Sequence, residues 1–342
     1  MRLVILTLCC LSLPFLFSPA SAKELQVVCS TTDLADIVAR VGGDAVEATH
    51  LVRASENPHF ISARPSYVRR LASADAFVVF GLELEVGWAP ALLRSARNRT
   101  IVPGAPGYID CSAAIRILQV KTGTLDRSQG DVHPAGNPHY LVSPMCGIQV
   151  AHYLAQRLGA LAPEHQEAFQ ANADQFSQEV AEQLYGPVAV ATHGVDQLID
   201  WHEAGTLWDQ VAADTLGGWL NKLAALRGKA FLGDHNQWPY LAACFGFEMT
   251  EHLEPKAGIA PSSSHLKKII SQAQQKNHWS GILTARWFNR RFAKRVSEAT
   301  GLPVVRLAHQ VGAEKGSETF LSMCQYNVHA LAQLESGASS AP

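Results

Sequence analysis

Short apolar runs of strand length alternate with helix-length periodic segments, once over residues 25–102 and again over residues 230–334. A chain that alternates in this way builds parallel sheets, because each helix carries it back to the same end of the sheet before the next strand. In the first half, residues 25–30 form a valine-rich strand, and Thr31, Thr32 and Asp33 can cap the helix that begins near Leu34. Gly42 and Gly43 stop that helix. Residues 46–52 and 76–80 read as strands, 64–74 and 87–96 as helices, and 100–102 as one more short strand. In the second half, 230–232, 248–253, 281–284 and 302–307 read as strands, while 238–245, 265–276, 288–299 and 317–334 read as helices.

The expected fold is therefore α/β, with two lobes, each a mostly parallel sheet flanked by helices. Between them, residues 163–184 carry apolar positions at helical spacing (Phe169, Phe176, Val180, Leu184) in a polar background. That pattern predicts a long helix that can bridge the lobes. The expected division is 1–22 export signal, 23–160 first lobe, 161–186 bridging helix, 187–335 second lobe and 336–342 tail. Residues 186–218, with Trp201, His202, Trp208 and a Gly217–Gly218 pair, look mostly helical and suggest no function.

The first residues read as an export signal. Arg2 supplies the positive start, residues 3–17 are apolar with a break at Pro14, and Ala20-Ser21-Ala22 fits a small-x-small cleavage site before Lys23. The apolar run is too short for a membrane span. A lipid anchor at Cys9 or Cys10 is disfavoured, because the apolar run continues past both. Five cysteines remain after cleavage: Cys29, Cys111, Cys146, Cys244 and Cys324. Cys111 with Cys146, and Cys244 with Cys324, are conceivable pairs in an oxidising compartment, and buried free thiols are the plainer alternative. No CxxC is present, which argues against a thiolate zinc site of the usual spacing. The formal net charge of −2 provides no global field for nucleic acid or an anionic membrane.

Three of the 14 histidines sit just after a strand or in a loop that opens toward a helix. His59 follows Asn57-Pro58, His139 follows Asn137-Pro138, and His235 follows Gly233-Asp234 directly after a strand. Ligands of open α/β sheets collect beyond the carboxyl ends of the strands, so the three imidazoles can converge on one cleft. The proline before His59 and before His139 stiffens the loop that aims each ring.

These blocks, taken in order, resemble the metal-specific solute-binding proteins of zinc and manganese ABC importers. The resemblance spans nearly the whole mature chain. It rests on Thr31-Thr32-Asp33-Leu34 with Val41-Gly42-Gly43-Asp44, on the two Asn-Pro-His tripeptides with Tyr140, and on Asp234-His235 with Tyr240-Leu241 and Phe245-Gly246-Phe247. Ala299-Thr300-Gly301-Leu302-Pro303-Val304 closes it. It implies a metal held between two lobes, with His59 and His139 from the first and His235 from the second. The family usually completes its site with an acidic residue after the last strand of the second lobe. Here Arg306-Leu307-Ala308-His309-Gln310 has no carboxylate. His309 is the nearest substitute, with water, Glu56 or His133 as alternatives. A long histidine-rich loop is reduced to Gly130-Asp131-Val132-His133.

A nitrogen-rich site leans toward Zn2+ over Mn2+, while Cu2+ and Ni2+ also take imidazoles. The resemblance implies periplasmic capture of the ion by a monomer, delivery to an ABC importer permease in the inner membrane, and no catalysis. A metal chaperone or sensor is the first alternative and a zinc hydrolase the second. HExxH and GxSxG are both absent. Free imidazole chemistry would make metal affinity fall as pH drops through about 6–6.5.

Overall fold

The structure is a computed structural model that describes residues 24–120, 133–212, 214–256, 258–276 and 278–334. The expected export signal, the tail and residues 130–132 lie outside these residues.

Two four-stranded parallel sheets form. The first has the order β2-β1-β3-β4, from β1 (Leu25–Cys29), β2 (Val46–His50), β3 (Ala76–Val79) and β4 (Tyr108–Asp110). The second repeats it as β6-β5-β7-β8, from β5 (Ala230–Gly233), β6 (Glu248–His252), β7 (Trp279–Ala285) and β8 (Val304–Leu307). One topology thus occurs twice without a visible sequence repeat. In register, Val27 faces Ala76 while Leu25 faces Val46, and Ile282 faces Val304. β3 is buried along its whole length, as a strand with helices over both faces must be. The two-lobe α/β architecture is the one that the alternation predicts.

Helix α1 (Thr32–Gly42) buries Leu34, Ile37, Val38 and Val41, one face of a 3.6-residue repeat. It ends at Gly43, whose φ of +50° suits a residue without a Cβ. Helices α2 (Pro65–Ser73) and α3 (Ala89–Ala96) cover the other face of the first sheet. Helix α4 (Pro144–Leu161) packs along α5 (Gln166–Tyr185), which buries Phe169, Ala173, Phe176, Val180 and Leu184.

The segment read as mostly helical folds as short helices: α6 (Pro187–His193), α7 (Val195–Glu203), α8 (Leu207–Gln210) and α9 (Gly218–Lys222). Several of them pack against α5. The second sheet is flanked by α10 (Pro239–Phe245), α11 (Ser263–Lys276), α12 (Arg290–Thr300) and α13 (Phe320–Ala332). One continuous apolar core runs from Val27 and Leu34 through Leu154, Phe176 and Leu184 to Phe231, Trp238 and Phe320. The lobes therefore share buried area, and wide separation would expose it to water.

One expectation fails. Residues 100–102 are not a strand: Arg99–Ile101 is a 3-10 turn, and the edge strand is β4. Asn98 is the cause. Its side-chain oxygen accepts from the Thr100 amide at 3.0 Å and closes a local turn that competes with extension. The plainer alternative for the cysteines holds: all five are free and buried. Burial raises the Cys244 thiol to about 12, so it stays protonated and inert.

Candidate metal centre

The two Asn-Pro-His tripeptides build the same device. Asn57 accepts the His59 amide at 3.0 Å, and Asn137 accepts the His139 amide at 2.9 Å. Each asparagine closes a turn over the intervening proline and fixes where the histidine leaves the backbone. Trp88 Nε1 donates to the Pro58 carbonyl at 3.0 Å and buttresses the first turn. Tyr140 donates to the Phe80 carbonyl at 2.7 Å, tying the second turn to the end of β3.

His235 is placed by a buried carboxylate. Asp234 accepts the His235 amide at 2.7 Å and the Ala285 amide at 2.6 Å, which locks the loop after β5 to the end of β7. Burial raises the Asp234 carboxyl to about 6, against the pull of the amides of Ala285 and His235 and the Thr284 hydroxyl.

The three imidazoles meet. His59, His139 and His235 are buried and each offers a nitrogen within 4.8 Å of the other two. The Nε2 atoms of His59 and His139 are 3.2 Å apart. Two bonds of 2.0–2.1 Å at a tetrahedral angle place their ligand atoms about 3.3 Å apart, so this spacing fits one zinc-sized ion. Ring centroids of His235 lie 5.7 Å from His59 and 5.3 Å from His139. Burial holds His139 well below the ordinary imidazole range, and the neighbouring histidines push it further down. A neutral imidazole is what a metal needs.

Behind His235, Glu254 accepts from Nδ1 at 2.7 Å, with both side chains buried. A carboxylate on Nδ1 leaves Nε2 as the metal-facing nitrogen. Sequence reasoning missed Glu254. Its signal was available, since it stands two residues past β6, the neighbour of the strand that carries His235.

His309 lies two residues past β8, buried, with Nε2 3.3 Å from the Glu56 carbonyl and 3.1 Å from Gln310 Nε2. Its Nδ1 is buried without a hydrogen-bond partner among the described residues. Burial lowers His309 to about 4, with Arg286 and Arg306 adding to the effect and the Glu56 carbonyl opposing it. His309 is outside the tight trio, yet it lines a small cavity of about 20 Å³ together with His139, Thr31 and Gln237.

The other candidates for a fourth ligand are placed differently. The Glu56 carboxylate is engaged by the Arg53 amide at 3.0 Å and by Arg64 at 3.4 Å. His133 stacks 5.1 Å from the His59 ring, with Nδ1 2.9 Å from the Leu82 carbonyl. His202 bonds the Tyr185 hydroxyl and the Cys244 carbonyl. His193 packs on Trp201.

The sequence matches the family model described as zinc-uptake complex component A, periplasmic, over residues 27–184 and 212–334. It is 21% identical over 320 residues to a manganese ABC transporter substrate-binding lipoprotein of Streptococcus mitis, covering 92% of this chain and 90% of that one. A manganese-binding lipoprotein of Bacillus subtilis is 24% identical over 158 residues, covering 46% and 47%. A crystal structure of ZnuA superposes with a TM-score of 0.64 at 20% identity, covering 93% of this chain and 100% of that one. A mutant of the laminin-binding adhesin of Streptococcus agalactiae gives 0.66 at 22%, covering 91% and 99%. The chain belongs to the zinc-uptake component A family, whose members are metal-binding solute receptors of ABC transporters and not enzymes.

Proposed function

We propose that this receptor captures Zn2+ in the periplasm and hands it to an inner-membrane ABC permease, with His59, His139, His235 and His309 as its ligands. The observation that carries the reading is the buried convergence of three histidines from two lobes, with no carboxylate within the trio. Imidazole nitrogens at this spacing suit zinc, whereas manganese favours more oxygen. The apolar run after Arg2, with the cleavage pattern ending at Ala22, supports export.

Manganese is the second reading. The names of the Streptococcus and Bacillus relatives favour it, and they also describe lipoproteins where this chain's leader favours cleavage.

Isothermal titration of the metal-stripped mature protein separates the two metals. The expected result is tight one-to-one zinc binding with much weaker manganese binding. Tighter manganese binding would replace zinc by manganese, and binding of neither would end the transport reading.

A further inference from the structure

A set of contacts at the rim of the histidine cluster joins the lobes through residues 116–119. Arg116 donates to the Glu203 carbonyl at 2.9 Å. The Leu118 amide donates to the Tyr240 hydroxyl at 3.0 Å, and that hydroxyl donates to the Asn137 carbonyl at 3.0 Å. The Leu118 carbonyl accepts from the Asn137 amide at 2.9 Å. Gln119 Oε1 accepts from Asn137 Nδ2 at 3.1 Å and from Asn236 Nδ2 at 2.7 Å. Asn137 Nδ2 also donates to the Asn236 carbonyl at 2.8 Å, which closes the ring.

The positions in this ring matter. Asn137 stands two residues before His139 on the first lobe, and Asn236 stands one residue after His235 on the second. Gln119 touches both. Its φ is +57°, a left-handed conformation that costs a residue with a Cβ and persists only where surrounding contacts enforce it. Tyr240 is almost fully buried, so its hydroxyl bonds are shielded from competition by water.

We propose that this ring is an interlobe clasp, with Gln119 as a positioning residue that fixes the spacing of His139 and His235 and slows release of the captured ion. The inference rests on the reading of the site as a metal receptor. An ion chelated from two lobes leaves when the lobes rock apart. Side-chain bonds that cross the lobes without touching the ion add to the cost of that motion, and so act on the dissociation rate.

The test uses the chemistry of one atom. Gln119 serves the clasp only as an acceptor, so Gln119→Glu keeps its function, while Gln119→Met has the same length and loses the acceptor. Both retain a Cβ, so backbone strain is equal in the two. Tyr240→Phe removes the buried hydroxyl in an isosteric change. Zinc release from the loaded mature protein into excess chelator is followed by stopped flow. In parallel, amide hydrogen exchange of the metal-free protein is followed at Leu118, Asn137 and His139.

Release is expected to quicken roughly tenfold in Gln119→Met and in Tyr240→Phe, with Gln119→Glu staying near wild type. Exchange at the three amides is expected to quicken in the same two variants. Wild-type release and exchange in Gln119→Met would overturn the clasp. Equal acceleration in the Met and Glu variants would also overturn it, because the acceptor would then not matter. Should wild type hold no zinc, the transport reading fails, and the exchange comparison still decides the clasp.

Discussion

Glu254 Oε2 lies 2.7 Å from His235 Nδ1, and the same oxygen accepts the Gly258 amide at 2.9 Å. The ring that the second lobe contributes to the trio is thus held by a carboxylate that is itself fixed by the loop beyond β6. The first-lobe histidines leave the backbone from the asparagine turns that precede them. The two lobes aim their histidines by different means.

Removing that carboxylate should therefore weaken the site without dismantling it. Glu254→Ala is expected to reduce metal affinity by about 10–100-fold, the usual effect of losing an outer-shell partner of a metal-bound histidine. His278→Ala, a change in an exposed ring packed on Trp279, serves as the control and should leave affinity unchanged. Titration calorimetry on both variants checks the pair, and equal affinities would remove Glu254 from the site.

The fourth ligand can be separated from its rivals by single changes. His309→Ala should weaken zinc binding by at least about tenfold, as expected for a nitrogen that bonds the ion directly. Glu56→Gln should not, because that carboxylate is already occupied by Arg53 and Arg64. His139→Ala should all but abolish binding. Full affinity in His309→Ala would leave a three-histidine site.

The pH dependence follows from burial. Imidazoles ordinarily titrate near 6.5, but His309 is pushed down to about 4 and His139 well below its ordinary range. In the unfolded chain both take up protons near 6.5, while in the folded protein they stay neutral to much lower pH. Stability from these groups is therefore complete above 6.5 and is lost as pH falls from 6.5 toward 4. For the same reason, proton competition with metal at these two residues begins below the free-imidazole window. Thermal melts of the metal-free protein from pH 7.5 to 4.5 should show a Tm that declines only below about 6.5. A decline that is unchanged in a His309→Phe variant would exclude this residue as a source.

Asp33 offers a stability test with the opposite sign. Its carboxylate accepts the Val311 amide across the lobes, and burial raises it to about 8, with Asp36 adding to the rise and the Val311 amide opposing it. The unfolded chain loses this proton near 3.8 while the folded protein keeps it to about 8, so the group costs stability increasingly across that interval. Asp33→Asn retains an acceptor for Val311 and should raise Tm by roughly 2–5 °C at pH 8, with the gain vanishing near pH 4. A loss of Tm at pH 8 would mean that the charge itself is needed.

The sequence by itself determined the strands, the parallel sheets and the three convergent histidines. Those are local matters: alternation of apolar runs with helical periodicity, and Asn-Pro-His turns whose geometry is closed within three residues. It misread residues 100–102, because the Asn98 side chain overrides strand propensity by a bond two residues away. Only the tertiary structure decided that Glu254 stands behind His235, that Asn137, Asn236 and Gln119 meet, and that His309 faces Glu56 across the lobes. Each of those contacts joins residues 18 or more apart. Such contacts depend on how two sheets of the same topology dock through a shared core, and no local pattern in the chain encodes that docking.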